Sequence, residues 1–243
     1  MRIFSGLLMT LMIMFVTPCF AQMTVGYTDF PPFTYMDEKG EIKGFFHEPV
    51  KLVLKEAGFD IQKDFKFAVE PSNRLYSNIL TGKVAINIGI PSVPSLKDNI
   101  LIGEYPFVNI VIKSYSIGDR PVVTEKGQFA GKSIIVIRGY SYAGLITFLN
   151  DPNNKCTLNE TDSHESALKM LQGGRGDYLL DYSAPIDVVL DTIKIDGLKS
   201  TSLAIIPVFF IVSKAIPDAE NLMKKINTAH QVLIEKGIVK AAN

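Results

Sequence analysis

The chain has 243 residues, and its 25 Lys and Arg balance 25 Asp and Glu. That balance gives no electrostatic case for nucleic acid or an anionic membrane as partner. Three histidines (His47, His164 and His230) and two cysteines are too scattered for a structural zinc site, so no metal and no cofactor is expected.

Met1 and Arg2 precede an uncharged apolar run over 3–16, and "TPCFAQ" (17–22) closes it with small residues. This is the layout of a secretory signal peptide over 1–21, cleaved before Gln22. The run is shorter than the roughly 20 residues of a membrane span. A lipid anchor on Cys19 is the alternative, although Pro18 directly before it is a poor fit. Removing the leader takes away Arg2 and no acid, and leaves Cys156 alone, unable to form an internal disulfide. What remains suits one large or two small domains.

Strand-like and helix-like segments then alternate, the pattern of an α/β protein with parallel strands. "MTVGYT" (23–28) reads as a first strand, followed by an aromatic-rich stretch in which Pro31-Pro32 predicts a stiff, extended loop. In that stretch Phe33 and Tyr35 read as core. "EPVKLVLKEAG" (48–58) reads as a helix capped by Glu48 and ended by Gly58. "FKFAVE" (65–70) is a strand, "SNRLYSNILTG" (72–82) a short helix capped near Ser72 or Asn73, and "KVAINIGI" (83–90) the next strand, running into a Pro/Ser loop.

A second cycle begins near Lys113. "GKSIIVIRG" (131–139) is a buried strand, and "YSYAGLITFLN" (140–150) a helix entered from Gly139. Asp162 and Glu165 form a capping-box arrangement ahead of "SALKMLQGG" (166–174). "GDYLLDY" (176–182) is a strand, 201–214 a long extended run, and 218–237 a final helix with Leu222, Ile226, Ala229 and Leu233 on one side. Two similar cycles and a return segment predict two lobes, 22–109 with 207–243 and 110–206. The chain would cross between them near 106–114 and near 203–209.

In order and spacing, "VGYTDFPPFTYMDEKGEIKGFFHE", "LTGKVAINIGI", "FAGKSIIVIRGYS", "ALKMLQGGRGDYLLDY" and the C-terminal helix region resemble the bacterial extracellular solute-binding proteins, family 3, the periplasmic amino-acid-binding type. The resemblance covers essentially the whole chain after the leader. It implies a type II periplasmic-binding-protein-like α/β fold, two lobes joined by two extended crossovers, closing on a small solute that is passed to an ABC importer. By the same resemblance, Phe30 is the aromatic that stacks on the ligand, with Tyr27 just before it. Gly139, Tyr140 and Ser141 form the turn whose hydroxyl and amides hold a carboxylate, a task suited to free backbone N–H groups. Ser92 faces the ligand from the first lobe.

The chain departs from that pattern where an amino acid's charges would be read. Lys97 stands where the family has a carboxylate-binding arginine, keeping the charge but not the bidentate fork. Tyr182 stands where an aspartate would hold the ammonium. Asp181 is one residue away, and a one-residue offset along a strand turns a side chain to the opposite face. Arg74 is a compensating cation if it is not simply a solvated surface group. With the tyrosines, the expected cleft suits a small polar solute, an amino acid or related organic anion. The expected protein is a monomeric periplasmic receptor and not an enzyme. The alternatives are a partner that presents its solute to a membrane sensor, and an enzyme on the same scaffold, for which no histidine falls on a matched cleft position.

Overall fold

The computed structural model describes residues 22–239; the leader and its Cys19 lie outside them. One path of hydrogen-bonded strands runs through both halves of the molecule, because one strand is long enough to serve both. That strand, β11 (Leu198–Ser213), is 16 residues long, half of them β-branched or aromatic and concentrated from Ile205 to Val212. Its C-terminal part pairs antiparallel with β5 (Ile86–Gly89) and with β6 (Ile100–Ile102). Its N-terminal part, up to Val208, pairs antiparallel with β7 (Val108–Ile117). Pro207 sits at the changeover, opposite Asn109; with no N–H to give, proline suits a point where a ladder ends.

On one side of this changeover lies lobe 1. Strands β4 (Phe65–Glu70) and β1 (Met23–Thr28) extend the sheet in parallel beyond β5. Helices α1 (His47–Glu56) and α7 (Ala219–Glu235) pack together on one face, burying Val50, Val53, Leu54, Leu222 and Ile226. Helix α3 (Ser72–Leu80) covers the other face over Val84, Leu96 and Ile211. It approaches closely at Gly26, where an added Cβ would lie 2.5 Å from Leu75 Cδ1. On the other side, lobe 2 continues from β7 through β10 (Tyr178–Tyr182) and β8 (Ser133–Ile137) to β9 (Thr157–Thr161). Its "IIVI" run is buried on both faces: Ile135 and Ile137 lie with α5 (His164–Gln172) and α6 (Ser183–Leu190), Ile134 and Val136 in the opposite core. Two α/β lobes joined by two extended crossovers, β7 and β11, are the type II arrangement expected.

Several local expectations are corrected. Glu48 does not cap α1, which starts at His47 from Phe46 with no side-chain cap; Glu48 instead accepts from Lys51 Nζ at 2.8 Å. Helix α3 begins after Pro71, so Ser72 is its first residue and no side chain caps it. Ser163, not Asp162, caps α5 by accepting from the Ser166 N–H, while Asp162 pairs with Arg138. The helix expected over 140–150 is only α4 (Leu145–Asn150), preceded by a break at Tyr142, Ala143 and Gly144, all with positive φ. The cause is tertiary: Tyr142 turns fully inward and its hydroxyl oxygen accepts the Ile137 N–H at 2.7 Å. The hairpin β2 (Tyr35–Met36) and β3 (Ile42–Lys43), the turn of helix α2 (Ile61–Asp64), and strands β6 and β9 and helix α6 are additions to the sequence reading.

Candidate functional site

The loop after β1 is a tight turn rather than an extended segment. Phe30 N–H donates to Thr34 O at 2.7 Å, Phe33 and Thr34 donate back to Phe30 O, and the Pro31–Pro32 bond is cis. Phe33 is buried, as expected; Tyr35 is only half-buried. The turn carries Phe30 across to lobe 2, where its ring meets Tyr182 edge-on at 5.0 Å and Tyr140 at 5.5 Å. Within lobe 1 it stacks on Phe33 at 4.9 Å.

Beside this contact lies a cavity of about 130 Å³. Lobe 1 supplies Thr28 from the end of β1, Phe30 and Thr34 from the turn after it, Phe46 from just before α1, and Ser72 and Tyr76 from α3. The end of β5 contributes Asn87, Ile88, Gly89 and Ile90. Tyr182 closes it from lobe 2, and Ile110, Ile206 and Val208 form its floor on the two crossovers. The space therefore touches both lobes and both connections between them.

Of the residues singled out in the sequence, only Phe30 and Tyr182 line this cavity, with Tyr140 in ring contact with both. Tyr27 is fully buried in lobe 1, stacked near Phe67 and with its hydroxyl 3.4 Å from His47 Nδ1; it is core, not wall. Arg74, Ser92 and Lys97 are exposed and line nothing in the cavity. The phase of α3 explains Arg74: Ser72 and Tyr76, four apart, share the inward face, and a residue midway between them points away. Gly139, at φ +81, makes the turn after β8. Ser141 is exposed, and its carbonyl accepts from Gly144 and Ile146 while its hydroxyl caps nothing. The helix end expected to offer amides there is replaced by the break at 142–144. Arg138 is held outward by Glu160 and Asp162.

Asp181 keeps the opposite-face geometry expected of it. Fully buried, it accepts from the Tyr182 N–H at 2.8 Å and lies 2.8 Å from His164 Nδ1. Burial pushes its carboxyl above the ordinary aspartate value, against the pull of His164. The tyrosines around it are pushed up in turn, chiefly by burial: Tyr140 to about 12, with Asp181 and Asp29 adding to the effect. Tyr182 and Tyr142 move in the same direction. All stay protonated near neutral pH and can donate hydrogen bonds.

The wall residues that sequence reasoning missed are mainly Asn87, Gly89 and Tyr76. Asn87 is buried, and its Nδ2 donates to Gly26 O on the neighbouring strand at 2.9 Å. Its signal was a lone amide inside the apolar run "KVAINIGI", beside a glycine. Among the described residues no group of three or more His, Cys, Asp or Glu could hold a metal ion, and no helix is long and apolar enough to cross a membrane.

No family model and no curated protein matches the sequence. Solved structures do match the fold. A probable amino-acid ABC transporter extracellular-binding protein from Bacillus subtilis aligns at TM-score 0.67 and 21% identity, over 90% of this chain and 95% of that one. A histidine kinase sensor domain with similarity to periplasmic binding proteins aligns at TM-score 0.66 and 18% identity, over 90% and 92%. The GluR0 ligand-binding core in complex with L-glutamate aligns at TM-score 0.66 and 16% identity, over 90% and 95%. The fold is thus the periplasmic-binding-protein-like one that the resemblance implied.

Proposed function

We propose that the chain is an exported, monomeric solute-binding protein of the extracellular family 3 type. Its lobes, 22–109 with 207–243 and 110–206, close on one small solute held beside Phe30 and Tyr182. The observation that carries the reading is a cavity walled at once by the β1 loop, by Tyr182 and by both crossovers. A solute there touches both lobes only when they are closed, so its contact energy belongs to the closed state and shifts the population toward it. The receptor then presents its closed surface to an ABC importer in the periplasm. A membrane sensor is the second possible partner, favoured by the likeness to a kinase sensor domain. An enzyme is disfavoured because, among the described residues, no His, Asp, Glu, Lys or Cys lines the cavity, and its two tyrosines are pushed further from neutral by burial.

Native mass spectrometry of the purified protein tests this. The expected result is a monomer carrying one small molecule, released unchanged on unfolding. Chemical conversion of that molecule by the protein would point to an enzyme. An adjacent permease and ATPase in the genome would favour the importer, and an adjacent membrane kinase the sensor.

A further inference from the structure

The walls of the cavity contain no Asp, Glu, Lys, Arg or His. Asp29, between the lining residues Thr28 and Phe30 in sequence, is exposed. A zwitterion or an organic anion moved into such a space would lose its water and gain no counter-charge, a desolvation penalty that the neutral hydroxyls of the wall offset only in part. Of the small polar solutes expected from the sequence, this wall favours those without a net or paired charge.

The wall instead selects shape and neutral hydrogen bonding: Thr28, Thr34, Ser72, Tyr76 and Tyr182 bring hydroxyls, and Asn87 brings an amide. Rings of Phe30, Phe46, Tyr76 and Tyr182 border the space, and aromatic edges and faces favour a flat apolar guest. The volume of about 130 Å³ is near the roughly 150 Å³ of an apolar cavity that accepts benzene. A single ring with small substituents fills it.

One such hydrogen bond comes from Asn87. Because Nδ2 is committed to an acceptor, Gly26 O at 2.9 Å, the orientation of the amide is fixed and Oδ1 is the free end. Asn87 is only 2% exposed, and its Oδ1 accepts no hydrogen bond among the described residues. Gly89, also in the wall, leaves that oxygen open: a Cβ there would lie 2.5 Å from Asn87 Oδ1. A guest that covers this acceptor without offering a donor loses about 1–3 kcal/mol, so a guest with an N–H or O–H is favoured over a hydrocarbon of the same size.

We propose that the solute is an uncharged, single-ring molecule bearing one hydrogen-bond donor that meets Asn87 Oδ1. This rests on the reading of the chain as a solute receptor. Calorimetric titration and melting-temperature shifts with phenol and benzamide, against toluene, L-glutamate and L-arginine, test it. The expected order has phenol or benzamide binding, toluene at least tenfold weaker, and the two amino acids without effect. In Gly89→Ala the new methyl covers Oδ1, and binding of the ring donors drops tenfold or more. Ser72→Phe, at a half-buried lining position, blocks the same space if Gly89→Ala does not fold. Binding of L-glutamate or L-arginine, with none of phenol or benzamide, would overturn the proposed solute class and leave the receptor reading standing. Toluene equal to phenol would remove the role of Asn87. No binding by any of the five, together with no co-purified molecule, would overturn the solute and the receptor readings together.

Discussion

Replacing Phe30 by alanine separates the contacts that close the molecule from those that merely fold it. The Phe30 ring makes one contact inside lobe 1, the stack on Phe33, and two across to lobe 2, with Tyr140 at 5.5 Å and Tyr182 at 5.0 Å. The stack persists whether the lobes are open or shut, so it drops out of the closure equilibrium. Each edge-on pair across the cleft contributes about 0.5–1.5 kcal/mol beyond its buried area. Phe30→Ala should therefore weaken the closed state by about 1–3 kcal/mol, a roughly five- to hundred-and-fifty-fold change in the closed-to-open ratio. Spin labels on cysteines placed at exposed Lys55 in lobe 1 and Lys194 in lobe 2, with Cys156 replaced by serine, report the distance distribution. The wild-type distribution should be weighted to the shorter distance and the variant's to the longer one. Identical distributions, in a variant that melts as a folded protein, would refute the assignment of Phe30 to closure.

Other consequences follow from groups outside the cavity. His164→Ala removes the hydrogen-bond partner of a fully buried carboxyl group and should cost about 1–3 kcal/mol in urea unfolding. The double variant with Asp181→Asn should recover part of that loss, and a single-variant loss below about 1 kcal/mol would contradict the pairing. His230 is buried among Tyr105, Phe107 and Phe210, with Nε2 unpartnered among the described residues, and burial lowers its pKa. The folded state then binds fewer protons than the unfolded one below about pH 6.5, so stability falls as the pH drops through that value, by at most about 1.4 kcal/mol per pH unit. His47 shifts in the same direction, so the measurement is the difference between wild type and His230→Leu at pH 7.5 and pH 5; an unchanged pH slope would count against His230. Gly26→Ala places a methyl 2.5 Å from Leu75 Cδ1 and 2.9 Å from Val84 Cγ1 and should lower stability by about 1–3 kcal/mol, read by the urea midpoint.

The layout of the fold was legible because its strands are written as unbroken apolar runs between turn residues. "IIVI" in β8 and the long run in β11 need burial on both faces, and only a covered sheet provides it. The break before α4 was not legible, since it depends on the Tyr142 hydroxyl reaching the Ile137 amide, a contact that helix propensity does not record. The cavity was legible only at Phe30 and Tyr182. The other walls come from five further segments of chain, each contributing only one to four residues, mostly apolar, with Ser72, Tyr76 and Asn87 among them. Charged residues drew attention in the sequence because charge recognition is easy to imagine; helix phase and loop direction put Arg74 and Lys97 in solvent.

Small-angle X-ray scattering of one sample, stripped of solute by unfolding and refolding and then saturated with benzamide or any solute that calorimetry finds to bind, tests lobe closure most directly. Addition of the solute should shrink the radius of gyration and shift the distance distribution inward. Superimposable profiles at proven saturation would contradict closure of the lobes on their guest.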